Sequence, residues 1–171
     1  LHARPDNTYL LPICTQFECS GSRTASNRSI QWGEKVVDPI FESANDYWVM
    51  YRLAQELGFA DLMFKNIAMV DGKYGPEPEP ESVLREINRG GWSTGYCGQS
   101  PERIKAHMAN QDKFDLVTLR APADLPEIGG DYYGLPWPCW GTPEYRHPGT
   151  HILYNTHQHV KDGGGTFRAR F

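Results

Sequence analysis

His151, His157 and His159 lie close together near the end of the chain and are the first residues whose type and spacing suggest chemistry. On a strand, the His157-x-His159 pair would turn both imidazoles to one face, as many metal sites require. No acidic residue or cysteine joins them at a recurrent spacing, so the cluster reads as chance rather than as a metal site. The four cysteines, Cys14, Cys19, Cys97 and Cys139, lack the paired C-x-x-C spacing of zinc or iron-sulfur ligands. They read as ordinary buried or half-buried thiols, with a structural disulfide or a metal as the alternatives. His107, beside Met108, reads as a capped or half-buried histidine rather than a base. Ser22, Ser93 and Ser100 have no sharp turn, histidine and acid arranged around them as a hydrolase would need. Gly90-Gly91-Trp92 and Gly163-Gly164-Gly165 lack both the phosphate-loop lysine and the dinucleotide fingerprint spacing, and read as turns.

The elements that would position such residues are few. Tyr9-Leu10-Leu11-Pro12-Ile13 is an apolar run that suits a strand buried on both faces of a parallel sheet. Polar and small residues from Thr15 to Arg28 predict a surface loop able to approach a ligand closely, and Gln31 to Phe41 reads as extended. A helix is expected from Asp46 to Leu57, with Trp48, Tyr51, Leu53, Ala54 and Leu57 on its apolar side and Gly58 as its stop. Ser43 to Asp46 has capping-box spacing, which puts Asp46 in the first turn, where the helix dipole favours negative charge. Pro80 to Arg89 predicts a second helix with Val83, Leu84 and Ile87 inward. Ser100-Pro101-Glu102-Arg103 opens a third, reaching Ala109. Between the first two helices, Gly75-Pro76 and the alternating prolines to Pro80 read as turn and polyproline sequence. From Leu119 to His159 helix periodicity gives way to glycine, proline and aromatic residues, a stretch with few ways of its own to hold one shape.

The chain of 171 residues is long enough for one domain with a proper core, yet 13 Pro, 17 Gly and 39% hydrophobic residues imply many loops. A net charge of -4 gives no broad basic surface, so neither nucleic acid nor an anionic membrane is an expected partner. No apolar run is long enough to cross a bilayer, and no basic, apolar, small-residue series in these residues marks a secretion signal. Leu1 in place of Met, and a closing Thr166 to Phe171 that reads as a strand stopped midway, give the expectation of a fragment.

Glu18, Gly21-Ser22, Thr24, Arg28 and Gln31 fall at the spacing of a segment that closes the third domain of molybdopterin oxidoreductases, and the stretch from Glu18 to Gln31 resembles it. Leu11-Pro12 before it, and Asp46 with its helix after it, agree in order with that superfamily. Two positions depart from the usual pattern: Ala25 stands where most members have Asn, and Cys19 where many have Lys or His. Gly134-Leu135-Pro136-Trp137-Pro138-Cys139, followed by His147-Pro148-Gly149-Thr150 and Leu153-Tyr154, is similar to a segment of formate dehydrogenase catalytic subunits, as is Gly95 to Arg103.

The resemblance implies an α/β fragment. Residues 1–70 would hold the last strand and helix of a parallel dinucleotide-type domain, and 71–171 a loop-rich connecting segment with short helices. It implies a parent subunit that oxidises formate to carbon dioxide at molybdenum or tungsten held by two molybdopterin guanine dinucleotides, near a 4Fe-4S cluster. An iron-sulfur electron-transfer subunit is the implied partner, a membrane would be met only through partner subunits, and the periplasm is favoured over the cytoplasm. The metal ligand of the family lies outside the matched segments, so the fragment is expected to hold cofactor without catalysing. Asp46 matches the superfamily acid that contacts guanine, and a carboxylate suits the N1–H and exocyclic amine of that base. Cys19 matches a second position that touches the dinucleotide, with only a weak hydrogen bond to offer, while Glu18 and Arg28 are expected to shape the loop. The alternatives are a fragment of a nitrate or related oxyanion reductase, or a stand-alone binding or structural module.

Overall fold

Short apolar runs broken by proline and glycine allow only short elements, and the computed structural model, which describes residues 5–26, 29–91 and 98–134, has them. In chain order they are a 3-10 turn Pro5–Asn7, β1 Gly21–Thr24, β2 Ile30–Gly33, α1 Asp46–Glu56, α2 Ala60–Met63, β3 Met69–Gly72, β4 Gly75–Pro78, α3 Pro80–Gly90, α4 Pro101–Ala109 and a 3-10 turn Gln111–Lys113. Helix and strand are mixed. β1 pairs with β2 and β3 pairs antiparallel with β4, each pair a sheet of its own. Among the described residues the one parallel pairing is the isolated bridge Ile13↔Ala44.

The chain divides into two compact units, Leu1–Ser20 with Gly33–Glu79, and Gly21–Trp32 with Pro80–Phe171. In the first, α1 packs on β4 and α2. Its buried apolar residues are small, Ala44, Ala54 and Ala60 with Pro78, while Trp48 meets Tyr74 at 5.1 Å and Tyr51 meets Phe64 edge-on at 5.3 Å. α1 ends as its sequence predicts. Gly58, at φ +79°, sends its N–H to Gln55 O, and Phe59 N–H reaches back to Ala54 O, the double closure that a left-handed residue makes possible. In the β3–β4 hairpin, where Gly72 faces Gly75, a side chain at Gly72 would meet the carboxyl of Glu77. The prolines from Pro76 to Pro78, expected as polyproline, therefore stand in a strand, Pro78 at its end and out of reach of solvent.

Three expectations are corrected. Tyr9 to Ile13 is not a buried strand: Tyr9, Leu10 and Leu11 are exposed, and the run takes part in pairing only through its bridge at Ile13. A central parallel strand needs neighbours on both sides, and no described residue supplies a second one. Gln31 to Phe41 is extended only to Gly33, and Phe41 sits at φ +46° with its ring 90% exposed. On α1, Ala54 is buried and Trp48 and Tyr51 are half-buried, whereas Leu53 and Leu57 face out.

In the second unit α3 packs on β1 and α4, and Ile30, Trp32, Leu84 and Ile104 form one core cluster. Lys105 lies over the Trp32 ring at 4.6 Å and pairs with Glu81. Ile87, expected inward, is exposed at 42%. The polar stretch expected to be loop throughout contributes β1. A second cluster gathers Phe114, Ala121 and Ile128. Residues 119–134, expected to lack means of holding a shape, are bound by an antiparallel bridge Arg120↔Tyr132, by Arg120 stacked on Tyr132 at 3.8 Å, and by Asp131, described below.

Candidate functional site

The first unit's polar centre is Glu18. Thr15–Glu18 closes as a turn through Glu18 N–H to Thr15 O at 3.0 Å. The Glu18 carboxylate, 4% exposed, then accepts the N–H of Ile40 and the N–H of Thr15, each at 2.7 Å. The Ile40 N–H first, and the Thr15 N–H second, pull the carboxyl down to about 2. Ser43 donates its hydroxyl to Ile40 O at 2.6 Å, with Glu18 Oε1 at 3.4 Å. One carboxylate thus fastens the Thr15–Glu18 turn to the Ile40–Ser43 turn.

Ala44 N–H donates to Pro12 O at 3.0 Å and Cys14 N–H to Ala44 O at 2.9 Å. Because this pairing is parallel, the chain leaves Cys14 and Ala44 in the same direction, into the Thr15 turn on one side and α1 on the other. Asn45 caps α1: its backbone is extended and its Oδ1 accepts Tyr47 N–H at 3.0 Å. The cap is Asn45 rather than the Ser43 that the capping-box spacing suggested, since Ser43 is engaged with Ile40. Asn45 also bonds the carboxyl of Glu77, which burial raises against the lowering effects of Lys35 and Asn45.

Asp46 occupies the first helical position, exposed, and no described residue bonds its carboxylate. At the helix N-terminus a negative charge is favoured, and an exposed carboxylate there has both oxygens available as acceptors. Cys19 is half-exposed and its thiol donates to Thr15 O at 3.5 Å, turned back over its own turn. Its neighbour Ser20 accepts Lys35 N–H at 2.9 Å and donates to Glu34 at 3.0 Å, closing the neck from which the chain departs to β1 and to which it returns. Asp46 and Cys19 thus belong to segments that leave one end of a single parallel pairing.

The second unit holds a buried triad that sequence reasoning did not assemble. Arg103 grips Asp131 with two donors, Nε at 2.7 Å and Nη2, and sends Nη1 to Gly98 O at 2.9 Å. His107, one turn along α4, places Nε2 3.1 Å from the same carboxylate and lies 5.1 Å from the Phe114 ring. Burial pushes the Asp131 carboxyl up, but the hydrogen bonds of His107 and Arg103 outweigh it and leave it lowered. His107 was read as capped or half-buried; it is buried on a carboxylate. Arg103 and His107 at i and i+4 were a visible signal, but Asp131, 28 residues from Arg103, was not.

Arg28, Cys97 and Cys139, the Trp137-Pro138-Cys139 segment, the histidines from His147 onward and Gly163 to Gly165 lie outside the described residues. Among the described residues no three of His, Cys, Asp and Glu are placed to hold a metal ion. No protein-family model, curated protein or solved structure matches this chain.

Proposed function

We propose that the chain is part of the catalytic subunit of a molybdopterin-dependent formate dehydrogenase, and that its contribution is one edge of a guanine dinucleotide site. The observation that carries this reading is Asp46, an exposed carboxylate at the start of α1 that no described residue bonds. The isolated parallel bridge Ile13↔Ala44 lies just before it, and the segments carrying Asp46 and Cys19 leave that bridge in the same direction, which would let both reach one ligand.

The donor set fits the base better than it fits the rest of the cofactor. Asp46 offers two acceptors to the N1–H and amine of guanine, a charge-assisted fork. Cys19 offers little, since its hydrogen is already given to Thr15 O. Glu18 holds the loop and has its acceptors filled by Ile40 and Thr15. In the parent subunit the dinucleotide held at Asp46 would supply molybdenum or tungsten for the two-electron oxidation of formate, and a 4Fe-4S cluster would supply the route for electrons to a partner subunit. The residues of this chain bind and orient.

Titration of GDP and ADP into the chain, followed by calorimetry or amide shifts, tests the reading. GDP is expected to bind more tightly than ADP, and Asp46→Asn to weaken GDP by roughly tenfold or more, the scale of a lost hydrogen bond to a charged group. Equal affinity for the two nucleotides, or no effect of Asp46→Asn, would overturn it.

A further inference from the structure

We infer that Cys14 and Cys19 form a dithiol pair that closes to a disulfide across the Thr15–Glu18 turn when it meets a small-molecule disulfide oxidant. This inference stands apart from the dinucleotide reading and rests on four features of the turn. Both residues are half-exposed thiols. They flank a hydrogen-bonded four-residue turn, Glu18 N–H to Thr15 O at 3.0 Å. Such a turn reverses the chain and brings the Cα atoms of Thr15 and Glu18 within about 7 Å, so the residues just outside it, Cys14 and Cys19, leave it on the same side; a disulfide between them needs a Cα separation of about 4.4–6.8 Å. The Cys19 side chain already points back across the turn, its sulfur 3.5 Å from the carbonyl of Thr15, the residue next to Cys14. Cys19 is also near enough to Cys14 to act on it electrostatically.

The backbone holds both ends in place. Cys14 is fixed by its N–H to Ala44 O, and Cys19 by the Ser20 clamp on Lys35. Glu18, between them, keeps the turn closed through its bond to Thr15 N–H, so closure of the ring does not first require the turn to form. Burial raises the Cys14 thiol, with Cys19 and Glu18 adding to the rise against a lowering bond from Ser43. A raised thiol suits Cys14 to the resolving step, while Cys19, whose sulfur is turned over the Thr15 carbonyl, meets the oxidant.

The chemistry balances with oxidised glutathione as the oxidant. The Cys19 thiolate attacks one sulfur, expels one glutathione thiolate and becomes a mixed disulfide. Cys14 then attacks the Cys19 sulfur and expels the second. The protein loses two electrons and two protons, and one oxidised glutathione becomes two reduced glutathione molecules. Ring closure outruns reversal while free glutathione stays below the effective concentration of a neighbouring thiol, on the order of millimolar.

The test is exposure of the whole chain to oxidised glutathione, alkylation of the remaining thiols and peptide mapping by mass spectrometry. The expected product links Cys14 to Cys19, lighter by two hydrogens and returned to two thiols by dithiothreitol. Cys14→Ser is expected to trap the Cys19–glutathione adduct, lengthening its lifetime at least about tenfold. A Cys97→Ser/Cys139→Ser double variant should still form the link. Three results would overturn the inference: a stable glutathione adduct on Cys19 with Cys14 still alkylatable, a link from either residue to Cys97 or Cys139 in its place, or no reaction at either thiol.

Discussion

A carboxylate that collects two backbone N–H groups behaves differently from one that faces water, and Glu18 is of the first kind. Held down to about 2 from a usual 4.5, it favours the folded state above pH 4.5, and that contribution fades as pH falls toward 2. Denaturant midpoints measured from pH 6 to pH 2 should therefore drop more steeply for the native chain than for Glu18→Gln. That variant keeps an acceptor but sets an amide N–H against one of two backbone donors, so it is expected to be less stable at neutral pH and flatter in acid. If the two profiles run parallel between pH 4.5 and 2, Glu18 is not the group that fastens the turns. That Glu18 shapes the loop was an expectation from the resemblance alone. Its partner Ile40 was not legible, because a bond across 22 residues leaves no trace in local pattern. The same holds for Arg103 and Asp131.

At the scale of elements, the helices were the readable part. Pro80, the Ser100-Pro101 pair and Gly58 are local punctuation, and α1, α3 and α4 begin or end on them. Strands of four residues carry too few alternations to be seen, so β1 was read as loop and β4 as polyproline. Burial was misread where a run was apolar but had no neighbour to cover it, as at Leu10 and Leu53. The cap of α1 offers a direct check on the local physics. Asn45→Ala should lower stability by about 1 kcal/mol, the usual cost of losing a cap, and should free the Glu77 carboxyl of its amide. Asn45→Ser, which keeps a capping oxygen, should recover most of that loss in urea melts. Equal losses for Ala and Ser would mean that the bond to Tyr47 N–H contributes nothing.

For the molecule as a whole, the second unit depends on one charge. Asp131 is the anion for both Arg103 and His107, and its own backbone joins Ala121 and Ile128, so it binds residues 119–134 to α4. Asp131→Asn leaves a buried guanidinium without its counter-charge, an arrangement that costs about 3–5 kcal/mol. A Glu102→Gln control removes a half-exposed pair with Arg85 and leaves an amide oxygen to accept at the start of α4, and it is expected to cost under about 1 kcal/mol. Guanidinium unfolding of the two variants separates the cases, and similar losses would mean that the triad is no anchor. With its carboxyl lowered, Asp131 adds stability above its usual range and gives it up in acid, the same sign as Glu18.

The segment Gly21–Trp32 belongs to the second unit although the chain on either side of it belongs to the first. Ile30 and Trp32, half of the four-residue core cluster, travel with it. The units are therefore interleaved along the polypeptide, and no single scission separates them. Cleavage after Glu79 would strand two core side chains on the wrong piece, and during synthesis Ile30 and Trp32 must wait for Ile104 to emerge before their packing is complete.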